Sequence, residues 1–406
     1  MTLVIPKGFP DAQFADGHPY DLYAAIRSQG RMVRHPDLPR GAAAGRGTLW
    51  VVGTHAEVRT IAADPVTYRS GDGILIPEMD LTYDSPPTIM HTDPPGHTRY
   101  RGLVAPAFRP SVLRGLESAV RERVRVLLTR FERNVVAELA VPLPLQVICL
   151  MLGIPEDDWP RFFRWSEAIV PGAVEMTDEE RNTLRVEAGM YLVGEAHRRR
   201  ADPRGDVISQ LARSGMSPHQ GTAEMGGDRL TDAELVMFLI QLLVAGNETT
   251  RHSISGGLLA LAEHPAQWAA LRSRPELVPS AVEEILRWTS PVVYFLRTAT
   301  RPTSIGGVEV AAGDRLMLLY GSANRDASAF GPSADHFDVS RRSDAISLAF
   351  GFGPHFCLGA ALARTEIRIV LEELLDRYSS LEPAGPVSYN GSSVVTGLKR
   401  ADLIFH

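Results

Sequence analysis

The chain has 406 residues, 44% of them hydrophobic, and a net charge of −6. That is enough chain to bury a large core, and the acidic balance gives no bulk electrostatic case for nucleic acid. Two cysteines, Cys149 and Cys357, are too few for a disulfide framework and suit a reducing cytoplasm. No stretch reaches the roughly 18 apolar residues of a membrane span, and neither a signal peptide nor an anchor is expected at Met1 to Asp11.

In chain order, 19–29 reads as a short helix, and 31–37 and Leu49–Val52 as strands joined through a flexible 41–47. Thr54 and Glu57 have capping-box spacing for a helix to about Ala63. The irregular stretch 70–91 carries Ile74, Leu75, Ile76, Met79, Leu81 and Tyr83. Loops of that length in a compact fold are usually functional, so a substrate contact is expected there. Asp93-Pro94 opens the next helix, with Pro94 suited to its first position, and His97 and Arg101 share one face. Helices follow over 113–132, 143–152, 156–170 and 177–200, with Cys149 as a core residue. The last two meet at Pro171-Gly172, where a lid could hinge, and 221–229 is a glycine-rich linker.

The longest helical segment runs from Thr231 to about Glu263, opened by a Thr231/Glu234 capping box. Its run 235–245 is apolar except for Gln241, so burial on every side is expected. At 1.5 Å per residue it is about 50 Å long. A compact chain of this size has a radius of gyration of about 22 Å. The helix must therefore cross the middle of one unit. Ala245-Gly246-Asn247-Glu248-Thr249-Thr250 interrupts its good helix formers. The Thr249 hydroxyl can bond the Ala245 carbonyl and bend the helix. A buried Glu248 is costly without a partner, so the run marks a polar pocket. Gln241 shares the face of Ala245 and Glu248; it points either into that pocket or at a neighbouring helix.

Further on, Glu284 and Arg287 can pair at i, i+3. Strands are expected over 292–297, 304–310 and 315–320, turning at Gly306-Gly307 and 312–314. In 350–359 three glycines and Pro354 surround Cys357, and a helical pattern begins directly after it. A thiolate before a helix N-terminus gains from the dipole and the free N–H groups, which favours deprotonation. One thiolate is too few for a zinc site but can be the single protein ligand of a haem iron. The turn 392–396 is small and apolar and is expected to touch substrate.

The decapeptide Phe350-Gly-Phe-Gly-Pro-His-Phe-Cys-Leu-Gly359 resembles the haem-ligand loop of the cytochrome P450 family. The Ala245–Thr250 run resembles that family's acid–alcohol motif, and Glu284-x-x-Arg287 its Glu-x-x-Arg helix. The resemblance covers about 15–405. It implies a mainly α (α+β) P450 fold, a single domain over 1–406, with a β-rich lobe from about 30–65 and 292–320 plus parts of the C-terminus. It implies heme b (iron protoporphyrin IX) with Cys357 as the iron ligand. It places His97, Arg101, Arg297 and His355 on the propionates, and gives Glu248 and Thr249 proton delivery. Glu284 and Arg287 would form a buried pair completed by Arg341 or Arg325. Ile76, Gln241, Val244, Ala245, Val293 and Val394 are the expected pocket residues. The implied activity is a monooxygenase that hydroxylates or epoxidises a small hydrophobic substrate, terpenoid, sterol, fatty or polyketide-like. The chain has neither a Gly-x-Gly-x-x-Gly fingerprint nor a cysteine set for an iron–sulfur cluster. Electrons are therefore expected from a separate ferredoxin or flavodoxin with its reductase, docking on an arginine-rich face with Arg101, Arg109, Arg114 and Arg364. A cytoplasmic monomer is expected. The alternatives are a peroxygenase, against which Glu248 and Thr249 argue, an oxidative-coupling enzyme, or a haem sensor.

Overall fold

The computed structural model describes residues 11–35, 47–76, 88–169, 176–213 and 230–406. Its axis is the helix Asp232–Glu263, whose 32 residues make it about 48 Å long. The capping box forms: Thr231 Oγ1 accepts from the Glu234 N–H at 3.2 Å, and the Glu234 carboxylate accepts from the Thr231 N–H at 2.7 Å. Glu234 also accepts from the Tyr100 hydroxyl at 2.5 Å, which ties the helix Gly96–Val104 to this end. The Thr249 hydroxyl donates to the Ala245 carbonyl at 2.8 Å as expected, yet the helix is continuous. Burial is nearly continuous over 250–262 but not along its N-terminal half, where Ala245 is exposed and Gln241 half-buried. The reason is a cavity along that side.

Helices Pro142–Leu152, Trp159–Ile169, Asp178–Ala201, Val278–Thr289 and Ala360–Arg377 pack around this axis. At Gly257 the crossing is close enough that a Cβ would stand 2.6 Å from Ile285. Cys149 is buried in this helical core, and burial pushes its thiol up to about 12, so it is inert.

A five-stranded sheet stands at one side, in the order Met32–Arg34, Leu49–Val52, Arg315–Leu319, Tyr294–Ala299, Tyr68–Arg69. Leu49–Val52 and Arg315–Leu319 run parallel, with Leu49 opposite Arg315; the other pairs are antiparallel. The expected strand 304–310 is a hairpin of Thr303–Ile305 and Val308–Val310 about Gly306-Gly307. Two local expectations change. Gly96, not Pro94, opens the His97 helix, because the Asp93 carboxylate accepts from the N–H groups of Ser70 and Gly71 instead. The Thr54 hydroxyl donates to Glu57 at 2.6 Å and caps no N–H; the Asp326 carboxylate takes the His55 N–H at 2.9 Å. Met79, Leu81, Tyr83, Pro171-Gly172, most of 41–47 and 221–229 lie outside the described residues. Among the described residues no helix is long and apolar enough to cross a membrane.

Candidate functional site

The cavity lies between the central helix and the 350–359 loop, with about 1670 Å³ of unfilled space including the part open to solvent. A water takes about 30 Å³, so this is room for a large group. The loop's shape depends on glycine. Gly351 and Gly353 have φ of +68° and +71°, and a Cβ on Gly353 would collide with the Ala62 carbonyl. The Cys357 N–H donates to the Phe350 carbonyl at 2.9 Å, and the helix Ala360–Arg377 follows. Cys357 is exposed, but to the cavity, deep inside the molecule. Burial therefore raises its thiol above the ordinary value, against the N–H groups of Gly359 and Ala360 and the charges of Arg101 and Arg364. The N–H groups at the helix start favour deprotonation as expected, but desolvation is the larger effect. A cation bound to the sulfur would favour the thiolate there.

Four cationic or donor side chains converge on the rim: His97, Arg101, Arg297 and His355 all line the cavity. The rings of His97 and His355 are 4.3 Å apart between centroids. His355 Nε2 is 3.2 Å from Ser70 Oγ, and Arg101 donates to the Pro354 carbonyl at 3.1 Å. Arg297 donates to the Leu296 carbonyl at 2.8 Å and is buried. His97 Nε2 is buried with no hydrogen-bond partner among the described residues. The group is short of negative charge. Burial, then Arg297, His97 and Arg101, drives His355 down to about 3. Burial is also the main cause that lowers His97, Arg101 and Arg297. A ligand carrying carboxylates would relieve all four. A soft thiol ligand on the floor and donors for carboxylates on the rim together fit a haem.

The central helix makes the opposite wall. Gln241, Ala245, Gly246, Thr249, Thr250 and Ser253 line the cavity, but Glu248 does not. Its carboxylate turns round the helix to Arg251, 2.7 Å away, which also holds Glu167 at 2.8 Å. Sequence periodicity put Glu248 on the Gln241 face; a buried arginine one turn on redirects it. Burial, opposed by Arg251 and reinforced by Glu167, pushes Glu248 up to about 7.

Of the other expected pocket residues, Ala245 and Gln241 face the cavity, whereas Ile76, Val244, Val293 and Val394 do not. Ile76 and Val293 pack together beneath the sheet, and the Val293 N–H donates to the Val394 carbonyl at 2.9 Å. The apolar wall comes instead from Ile74, Ile89, Met90, Phe238, Val292 and Phe295. Phe295 was findable, since it alternates with Arg297 on one strand face. Glu366 was missed. It lines the cavity on the helix that follows Cys357, and burial pushes it up to about 8.

Behind the loop, Glu284 and Arg287 are buried and paired at 2.7 Å. Arg341 completes the pair, 3.0 Å from Glu284. Arg325 has another place, stacked 3.6 Å from the Tyr20 ring and 3.7 Å from Trp288. Arg287 also donates to the carbonyls of Asn324, Ala334 and His336. Arg109 and Arg114 are exposed, and Arg364 pairs with Glu283 while stacking over Phe350.

Residues 134–405 match the family profile described as Cytochrome P450. Over 405 residues the chain is 40% identical to a Mycobacterium tuberculosis protein named putative cytochrome P450 126, covering 95% of this chain and 94% of that one. It is 38% identical over 372 residues to a methyl-branched lipid omega-hydroxylase of Mycobacterium bovis, covering 87% and 83%. Among solved structures, Mycobacterium marinum cytochrome P450 CYP268A2 in complex with pseudoionone has a TM-score of 0.87 at 28% identity, covering 100% of this chain and 99% of that one. With a thiol and a carboxylate-seeking rim on one cavity, and this likeness along nearly its whole length, the chain belongs to the cytochrome P450 family, oxygenating oxidoreductases with a haem–thiolate cofactor.

Proposed function

We propose that this chain is a monooxygenase acting on an elongated, mostly apolar substrate of branched-lipid or terpenoid character, with Cys357 as the haem ligand and His97, Arg101, Arg297 and His355 on its propionates. The observation that carries the reading is the convergence of the Cys357 thiol, those four side chains and Thr249 on one cavity. Haem supplies the activation of dioxygen. The chain's own residues do the rest. Ile74, Ile89, Phe238, Val292 and Phe295 hold an apolar substrate and exclude water. Gln241 adds one polar contact. Thr249 presents its hydroxyl at the cavity, and Glu248 keeps an exchangeable proton behind it. The substrate class is supported by the apolar wall and by the named lipid hydroxylase and pseudoionone complex among the similar proteins.

We read 1–406 as one unit built on the central helix, working as a cytoplasmic monomer with a ferredoxin- or flavodoxin-type donor. A titration of branched fatty acids and acyclic terpenoids against the haem absorbance tests the substrate class. A low-to-high spin change and a product heavier by one oxygen atom are expected. A product that has lost hydrogen without gaining oxygen would point to oxidative coupling instead.

A further inference from the structure

Two buried carboxylates meet on one guanidinium. Arg251 Nη1 is 2.8 Å from Glu167 Oε1, and Nη2 is 2.7 Å from Glu248 Oε1. Both nitrogens belong to one planar group, so the two carboxylates share a single cation, and the Glu167 carboxylate adds to the upward push on Glu248. The side chains of Glu167, Arg251 and Glu248 are 6%, 7% and 2% exposed. Two negative charges thus face one positive charge in a dry site, and an uncompensated buried charge costs several kcal/mol. Among the described residues no second charged cation is paired with either carboxylate. His252 Nε2 is 3.9 Å from Glu248 Oε2, but burial and then Arg251 hold it far below its usual range, so it is neutral. Arg181 and Arg185, on the helix Asp178–Ala201, reach the carbonyls of Glu167 and Ala168. Asn247 donates to Ser166 Oγ at 3.0 Å, and the Phe163 ring lies 5.9 Å from the Arg251 guanidinium.

We infer that Glu167 is a positioning residue for proton delivery: Glu167 and Glu248 form a carboxylic acid–carboxylate pair that holds one shared proton, clamped by Arg251. This rests on the reading of Glu248 and Thr249 as the proton-delivering acid and alcohol. One proton removes the excess charge, as in other carboxyl pairs that cannot both ionise. Giving it up leaves two anions on one guanidinium, which favours prompt reprotonation from solvent. The pair also spans two helices, since Glu167 lies on Trp159–Ile169 and Glu248 on the central helix. Proton affinity at Glu248 therefore depends on where the outer helix sits.

The test compares wild type, Glu167→Gln, Glu167→Asp and Glu248→Gln in two ways. The first is the infrared difference spectrum of the resting protein against pH. The wild type minus Glu167→Gln spectrum should contain a protonated-carboxyl band that titrates near neutral pH; contributions common to both, such as Glu366, cancel. In Glu167→Gln, Glu248 faces Arg251 alone, so its titration should move down by about one unit or more, roughly tenfold in proton affinity. Glu167→Asp should restore a near-neutral titration. The second is product formed per reductant consumed, against pH, with the substrate spin change as the check on folding. The high-pH loss of coupling should begin about one unit lower in Glu167→Gln. A carboxyl spectrum and pH profile unchanged by Glu167→Gln, or a Glu167→Asp that fails to restore them, overturns the shared proton. A Glu248→Gln variant with wild-type coupling sinks the underlying acid–alcohol reading instead.

Discussion

Glu366 shows how one residue can set a pH dependence without a partner. Its Oε2 is buried with no hydrogen bond among the described residues, and burial alone raises it from 4.5 to about 8. The folded protein therefore keeps a proton that the unfolded chain releases above pH 4.5. The associated stability is complete below that pH and is lost as pH rises through about 8. Glu366→Gln keeps the shape without the ionisation. It should be more stable than wild type by about 4 kcal/mol at pH 8, with the gap closing toward pH 4.5. Denaturant unfolding at both pH values measures this, and a gap independent of pH would contradict it. Gly353 gives a second prediction at this scale. Its φ of +71° and its closeness to the Ala62 carbonyl leave no room for a Cβ. Gly353→Ala should cost roughly 1–3 kcal/mol and displace the Cys357 loop, read as a fall in the haem bound per chain.

At the scale of elements, the brace behind the loop is the part most sensitive to loss. Glu284 joins the helix Val278–Thr289 to the segment 338–341, accepting from Arg287, Arg341 and the Asp338 N–H. Removing either member of the buried pair leaves a charge unpaired, at a cost of about 3–5 kcal/mol. Glu284→Ala and Arg287→Ala should give haem-free or insoluble protein; normal haem absorbance in both would show that the pair is dispensable. The cap of the central helix is a milder case. Thr231→Ala removes one acceptor and should cost about 1 kcal/mol, measured by thermal unfolding. Glu234 would still hold the helix Gly96–Val104 through Tyr100.

For the whole molecule, charge is unevenly placed. The chain is net acidic, yet Arg109 and Arg114 are exposed at the start of the helix Pro110–Thr129, which packs on the helix that follows Cys357. An acidic electron donor docking there would be steered electrostatically. Reduction by such a donor should slow with rising salt, and charge reversal at Arg109 and Arg114 should lower the association rate about tenfold or more at low ionic strength. A reduction rate indifferent to both would place the donor elsewhere.

Much of this protein is local and so was legible in the chain itself. The Cys357 turn, the Thr231–Glu234 cap and the Thr249 bond to Ala245 each need only residues a few positions apart, so spacing is enough. The central helix announced itself by length. What spacing could not decide was which of several long-range partners a side chain meets. Arg341 was the first candidate and Arg325 the alternative until packing put one on Glu284 and the other between Tyr20 and Trp288. Glu248 had the periodicity of the cavity face but follows Arg251, because a buried carboxylate goes where its charge is met. Val293 and Ile76 were expected in the pocket; the sheet core took them instead, and Phe295 and Val292 face the cavity. The cysteine's chemistry divides the same way: its turn and its helix were written locally, while the burial that raises its thiol belongs to the tertiary structure.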